Sequence, residues 1–317
     1  MNDLCLVTGG AGFIGSHLVE ALLAAGRPVR VFDDFSTGLR ESLTALTADA
    51  SAPGSQGSLE IVAGNLGCPE DVARAVAGAA VIFHLGAIAS VQASIERPAQ
   101  VHQVNGTGTL YVLDAARRFG VRRVVYAASA SAYGIPAGPI QKETDPIQPL
   151  SPYAAAKLTG EMYASAFAVT YGLETVALRF FNIFGPRQRD DSPYTGVIAI
   201  FARRFLAHEP VRIDWDGEQQ KDYVYVGDVA RASLLALERG DNDIFCIATG
   251  KGTSVNEIYH MLAQETGYQP EIVRAPKRPG DIYLTYFDCR KAAEGLDWKA
   301  EVGMQEGIRA TLDFFRE

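Results

Sequence analysis

Apolar positions along the chain alternate between short continuous runs and longer stretches with helical spacing. The run Leu4 to Thr8, the helical pattern Phe13 to Ala25 and the run Val29 to Asp33 predict strand, helix and strand in the order of a βαβ unit. Further strand-like runs at Leu59 to Ala63, Val81 to Leu85, Val124 to Ala128 and Val176 to Phe180 are separated by helical spacing. Such alternation buries parallel strands beneath helices on both faces, so an α/β protein with a doubly wound parallel sheet is expected.

Two places break the pattern. Thr47 to Ser58 is rich in Ala, Ser, Gly and Pro and reads as a loop before the third strand. After about residue 181, loops carrying Gly, Pro and Arg give way to helices near Val197 to His208, Val255 to Thr266 and Gly303 to Phe315. The expected division is a first domain over 1–180, with a returning segment near 220–250, and a smaller α/β substrate lobe drawn mainly from 181–317.

Composition narrows the class of partner. With 48% hydrophobic and 21% charged residues, the 317-residue chain is an ordinary globular sequence rather than a disordered one. A formal net charge of −8 gives no footprint for polyanions, so nucleic acid is not an expected partner. Cys5, Cys68, Cys246 and Cys289 lie far apart and form no Cys-x-x-Cys, which points to neither a disulfide framework nor a metal site. No apolar run approaches the ~20 residues that span a bilayer, and the start lacks signal-peptide features, so a cytoplasmic location is expected.

The first candidate chemistry lies at the first strand–helix junction. Thr8-Gly9-Gly10-Ala11-Gly12-Phe13-Ile14-Gly15 places Gly9, Gly12 and Gly15 where a backbone must turn sharply and approach a pyrophosphate at a helix N-terminus. A carboxylate at the end of the second strand, 18 residues after Gly15, suits the two ribose hydroxyls and repels a 2′-phosphate. Asp33 is the expected residue, with Asp34 beside it, and NAD the expected cofactor of a Rossmann-type domain.

The second lies at Pro152-Tyr153-Ala154-Ala155-Ala156-Lys157. Proline suits a first helical turn, and a spacing of four puts the phenol and the ammonium on one face. A nearby ammonium favours the phenolate, which equips Tyr153 as a proton acceptor. Ser129, with Ser131 as its neighbour, ends the preceding strand and offers a hydroxyl to hold a substrate oxygen.

Six motifs in order carry a resemblance. They are Thr8 to Gly15, Asp33 to Gly38, His84 to Ala87, Asn105 to Thr109, Ser151 to Lys157 and Arg179 to Gln188. Together the chain resembles the extended short-chain dehydrogenase/reductases, in particular the NAD-dependent UDP-sugar 4-epimerases. The resemblance implies that Tyr153 is the base, that Lys157 holds Tyr153 and the nicotinamide ribose, and that Ser129 orients the sugar hydroxyl. It implies further cofactor contacts at Phe13, Ile14, Ser36, Gly38, Asn65, Leu66, Leu85, Gly86, Ala87 and Asn105. On the substrate side it implies Ser131, Asn182, Lys221, Arg278, Asp281 and Thr285. His84 is read as strand-end packing rather than as a base.

Three positions depart from or tune the pattern. Asn65 stands where relatives usually carry Asp, and its amide oxygen remains an acceptor for an adenine amino group. Lys221 stands where Arg is common and loses the bidentate fork. Thr285 aligns where a large Tyr in some relatives narrows the sugar pocket, so UDP-GlcNAc and UDP-GalNAc are expected beside UDP-Glc and UDP-Gal. The stretch Asp191 to Val197 also resembles loops of such epimerases. The 4,6-dehydratase alternative wants an acid/base pair after Ser129, where Ala130 and Ser131 stand. A uronate epimerase, a decarboxylase and a nonenzymatic NAD sensor remain alternatives. The resemblance also implies a homodimer through the helical stretches Pro98 to Phe119 and Pro152 to Tyr171.

Overall fold

The computed structural model describes residues 3–50, 57–135, 138, 140–189, 196–277 and 283–316. Its centre is a parallel sheet of seven strands. From one edge to the other these are Asp243–Ile247, Glu174–Phe180, Arg123–Ser129, Val81–His84, Cys5–Thr8, Val29–Asp33 and Leu59–Ala63. Central strands such as Cys5–Thr8 and Val81–His84 are buried along their whole length, which is why they read as unbroken apolar runs. This is the α/β, doubly wound fold expected.

Helices cover both faces. On one, Leu18 and Leu22 of helix Phe13–Ala24 pack with Val229 and Ala232 of helix Val226–Leu235. On the other, Val72, Val112 and Phe167 come from helices Pro69–Val76, Gly108–Phe119 and Pro152–Tyr171. Fully burying each such side chain contributes about 1.5–3 kcal/mol. The segment Val226 to Ile247 thus rejoins the first lobe, supplying a helix and the edge strand beside Glu174–Phe180.

The second lobe has its own core, with Phe201, Phe205, Ile258, Leu262, Ile308 and Leu312 buried together. Its small sheet runs Gly252–Ser254, Gln220–Tyr225, Leu284–Phe287 and Ile140–Gln141, and Asn182–Phe184 also pairs with Gln220–Tyr225.

Two expected elements differ. Thr47 to Ala50, expected as loop, ends the helix Glu41–Ala50. Alanine favours helix, and the breakers Pro53 and Gly54 come only later, among residues 51–56 outside the described set. The stretch Pro98 to Phe119 is not one α-helix. It passes through a π-helical turn, Gln103–Thr107, between Pro98–His102 and Gly108–Phe119. That turn carries Asn105, at the edge of the site.

Candidate active site

The strand order reverses between Cys5–Thr8 and Val81–His84, and Asp33, Ser129 and the residues just past the other two strand ends, Gly9 and Leu85, line one cleft of about 550 Å³. Open α/β sheets bind ligands at such a switch point. The glycines there are fixed by shape. Gly9 has φ 69°, and a Cβ on it would meet Gly86 Cα at 2.7 Å. A Cβ on Gly15 would lie 2.1 Å from the Gly9 carbonyl oxygen, so the helix could not start where it does. A Cβ on Gly12 meets nothing closer than 3.2 Å, which leaves its bare surface facing the cleft.

Asp33 is buried, and its carboxylate is already oriented. Ala11 N–H donates to Oδ2 at 3.0 Å and Phe35 N–H to Oδ1 at 2.9 Å. Burial pushes its pKa up, and these two backbone bonds pull it back. Asp34 instead turns the loop, taking Ser36 N–H at 2.9 Å. The glycine cradle, the strand-end carboxylate and the cleft fit a dinucleotide. Phe13, Ile14, Ser36, Gly38, Leu66, Leu85, Gly86 and Ala87 all line it.

Two expected cofactor contacts, Asn105 and Asn65, already have polar atoms engaged within the protein. Asn105 is 1% exposed and lies behind the wall. Its Oδ1 accepts from Ile88 N–H at 2.8 Å and its Nδ2 donates to Ile88 O at 3.1 Å, so it shapes the Leu85 to Ala89 loop. Asn65 does line the cleft, but its amide oxygen is engaged by Gly67 N–H at 2.7 Å, leaving one lone pair for an adenine.

The catalytic candidates converge. Ser151 caps the helix Pro152–Tyr171 by accepting from Ala154 N–H at 3.1 Å, with Pro152 in the first turn. Tyr153 and Lys157 then face the cleft beside Ser129. Ser129 Oγ lies 2.9 Å from Ser131 Oγ and accepts from Ser131 N–H at 3.2 Å, starting the short turn Ala130–Tyr133.

Lys157 is 6% exposed, and its ammonium sits 4.8 Å from the centre of the Tyr126 ring. Burial lowers its pKa to about 8. The phenol of Tyr153 is not lowered as expected from spacing: burial raises it, and the hydrogen bond with Ser129 works the other way. The helix is set by Tyr126, whose hydroxyl donates to Lys157 O at 2.9 Å. A Cβ on Gly160 would lie 2.4 Å from that hydroxyl.

His84 is structural, as expected. Burial pushes its pKa down to about 3, with Lys157 adding to the effect, so the ring is neutral. Gly86 N–H donates to Thr8 Oγ1 at 3.0 Å, and Thr8 Oγ1 lies 2.7 Å from His84 Nδ1. His84 Nε2 lies 2.9 Å from Thr109 Oγ1, which donates to Asn105 O at 2.6 Å. Only an Nε2–H tautomer satisfies every donor in that chain.

The other substrate-side residues spread over the small sheet. Lys221 and Thr285 are register partners on adjacent strands. Asn182 donates from Nδ2 to Asp222 O at 2.9 Å. Asp222 is fully buried and takes Thr249 N–H at 2.7 Å and Gly250 N–H at 2.8 Å, so it anchors a turn. Arg278, Asp281 and residues 191–195 lie outside the described residues.

Sequence reasoning missed the fastening of the catalytic helix. Arg179, 1% exposed, grips Glu161 of that helix with Nε–Oε2 at 2.9 Å and Nη2–Oε1 at 2.6 Å, and its Nη1 donates to Tyr133 OH at 2.6 Å. A lone arginine inside Val176-Ala177-Leu178-Arg179-Phe180 was the available signal. Phe180, Phe181, Ile183, Gln188 and Arg189 also line the cleft.

A glycine-turn dinucleotide cleft beside a Tyr-x-x-x-Lys helix and a strand-end serine defines a short-chain dehydrogenase/reductase. The sequence profile described as the NAD dependent epimerase/dehydratase family matches residues 5–248, and the chain belongs to that family, whose cofactor is NAD. A UDP-glucose 4-epimerase of Mycolicibacterium smegmatis is 39% identical over 98% of both chains. Among solved structures, UDP-glucose 4-epimerase from Thermotoga maritima with UDP-glucose is 39% identical at a TM-score of 0.90, covering 99% of this chain and 98% of that one. UDP-N-acetylglucosamine 4-epimerase from Methanobrevibacter ruminantium M1, in complex with UDP-N-acetylmuramic acid, is 33% identical at a TM-score of 0.92, covering 100% of this chain and 99% of that one.

Proposed function

We propose that the chain is an isomerase that interconverts UDP-hexoses at C4 through a transient 4-keto sugar, and that it accepts UDP-GlcNAc and UDP-GalNAc beside UDP-Glc and UDP-Gal. The observation that carries this reading is the meeting of Tyr153, Lys157 and Ser129 at the cleft, with Ala130 and Ser131 where a dehydratase would need an acid/base pair.

Tyr153 takes the proton of the sugar 4-hydroxyl while the Ser129 hydroxyl holds that oxygen in reach. The Lys157 ammonium stabilises the phenolate against the cost of burial. The glycine cradle and Asp33 would hold NAD, which would supply a reversible hydride acceptor at C4, and Tyr153 gives its proton back to the C4 oxygen when the hydride returns to the opposite face. Between those events the keto sugar turns over, kept from escaping by a diphosphate held by Asn182 and Lys221, to which the family resemblance adds Arg278 and Asp281. Thr285, half-buried next to Lys221, is the smaller residue at the position where a tyrosine would narrow the sugar pocket, and a 2-acetamido group is accepted on that account.

Incubation with each UDP-hexose and UDP-N-acetylhexosamine, followed by proton NMR, tests the reaction. A 4-epimer is expected without added reductant, and Tyr153→Phe abolishes it while NAD stays bound. A wild type inactive on every UDP-sugar sinks the reading in favour of an NAD sensor. Thr285→Tyr reduces turnover of the acetylated pair relative to the plain pair, and an unchanged ratio removes the gate.

The reading includes a cytoplasmic homodimer. Helix Pro152–Tyr171 leaves Met162 53% and Val169 86% exposed on one side, and Ile95 of the neighbouring helix Val91–Glu96 is 59% exposed. Such a patch suits a second copy. Val169→Glu is expected to yield monomers in sedimentation.

A further inference from the structure

Residues 185–189 follow the strand Asn182–Phe184 of the second lobe, yet their polar contacts run to the cofactor lobe. His17 Nε2 lies 2.9 Å from Pro186 O. Arg187 Nη2 donates to Glu20 Oε2 at 2.6 Å, and Arg189 Nη1 donates to Thr37 O at 3.0 Å. His17 and Glu20 both stand on helix Phe13–Ala24, whose first turn forms the diphosphate cradle. Thr37 lies in the loop after Asp33, at the ribose end. Gln188 and Arg189 themselves line the cleft that the glycine turn also lines.

The loop's own geometry shows that it is held rather than relaxed. Arg187 has φ 65°, a left-handed conformation unfavourable for a side chain of that size. Two polar atoms on it, Arg187 Nη1 and Gln188 Oε1, are buried without a hydrogen-bond partner among the described residues. Burial lowers the pKa of His17, so its ring is neutral and donates Nε2–H to the Pro186 carbonyl. Strain and unmet polar atoms persist only where surrounding contacts over-determine a conformation.

We infer that residues 185–189 are a clasp that retains NAD between turnovers, with Gln188 and Arg189 facing the cofactor and the His17–Pro186 and Arg187–Glu20 contacts fastening the clasp to the cradle helix. The inference rests on the family's NAD site and gains its purpose from the epimerase reading. A hydride taken from a sugar must be returned to it, so cofactor lost in mid-cycle would leave a keto sugar stranded. A glycine cradle binds the diphosphate from one side only. Bridges to Glu20 and Thr37 close the other side.

The experiment measures the exchange of bound NAD for excess isotopically labelled NAD in the purified full chain, with no sugar present. Glu20→Gln and Arg189→Ala are each expected to speed exchange on the order of 10-fold or more, the scale of one charge-assisted hydrogen bond. Arg189→Lys keeps a donor to Thr37 O and restores much of the retention. The exchanged pair Glu20→Arg with Arg187→Glu recovers retention relative to either single change, a rescue that general loosening does not produce.

Exchange within about twofold of wild type in both Glu20→Gln and Arg189→Ala overturns the clasp. So does equal acceleration by Arg309→Ala, which breaks a surface pair with Glu265 in the second lobe. Because no sugar is used, retained NAD with no sugar turnover would sink the epimerase reading and leave the clasp standing.

Discussion

The pair Glu161–Arg179 is the part of the molecule whose loss has the most specific expected signature. Both side chains are buried, at 2% and 1% exposure, and the guanidinium makes two bonds to the carboxylate and a third to Tyr133 OH. Removing one partner strands a charge in the interior, which costs about 3–5 kcal/mol. Against the 5–15 kcal/mol typical of a folded protein, either Glu161→Met or Arg179→Met should therefore move the urea midpoint far down. Replacing both by methionine removes both charges and keeps the volume. The double variant is expected to lie within about 1–2 kcal/mol of wild type, the residue of that cost being the Tyr133 hydroxyl, which loses the Arg179 donor and keeps only Cys246 Sγ at 3.2 Å. The coupling across the cycle is then at least about 3 kcal/mol.

Stability is half of the signature. Glu161 stands one helical turn beyond Lys157, and Tyr133 ends the turn that begins at Ser129, so one guanidinium joins the two sides of the proton site. A misplacement of ~1 Å at a reacting centre costs on the order of 100-fold. The double-methionine variant is therefore expected to be folded and to bind NAD, with kcat down at least ~10-fold and KM little changed. Urea titrations at one fixed saturating NAD concentration, beside initial-rate kinetics, read both halves. Single variants costing less than about 1 kcal/mol, or a double variant no more stable than the worse single, would refute the closed-unit argument.

Three other expectations follow from the site. Burial lowers Lys157 to about 8 from 10.5, so between those values the unfolded chain holds a proton that the folded one has released, and the stability of NAD-free protein rises with pH by about 3 kcal/mol in total. Below about 8 that gain is absent, and Lys157→Met lacks this part of the slope when denaturation is followed from pH 7.5 to 10.5. Gly15→Ala places a methyl 2.1 Å from the Gly9 carbonyl and is expected to lower the melting temperature and NAD affinity together, whereas Gly12→Ala, a tight contact with that carbonyl at 3.2 Å that a shift of a few tenths of an ångström relieves, weakens NAD with a smaller thermal change. Calorimetry and NAD titration of the two separate shape from contact. Asn105→Leu removes both bonds to Ile88 and is expected to weaken NAD binding at least several-fold, although Asn105 has no place on the cleft surface.

Much of the fold was legible because local chemistry and tertiary burial agree. Helix Val255–Thr266 starts and stops as read, since Ser254 and Glu257 form a capping box and Gly267 takes the left-handed cap. The strand Asp243–Ile247 was not read as such. Its place beside Glu174–Phe180 depends on a parallel pairing across more than sixty residues of chain, which no local period records. The fastening of the catalytic helix was hidden for a similar reason, since Arg179 is unusual in its strand but nothing in the sequence says that Glu161 meets it. Thr285 carries information about the sugar only through resemblance, because a threonine on a short strand has no distinctive pattern of its own.

The motif residues also divide by what their polar atoms are doing, which spacing alone could not reveal. Asp33, Asn65, Asn105, Thr8 and His84 spend hydrogen bonds on the protein's own loops. They give the cleft its shape, and a substitution among them acts on the cofactor by letting a loop move. Lys157 is different: its ammonium lies against the Tyr126 ring, and burial depresses its pKa, which an anionic partner would have raised. A charge held this way gains most from an anion that forms only during a reaction, and in the proposed reaction that anion is the Tyr153 phenolate. Burial raises the resting pKa of Tyr153, and under the proposed reaction the same low-dielectric wall would strengthen the phenolate's attraction to Lys157.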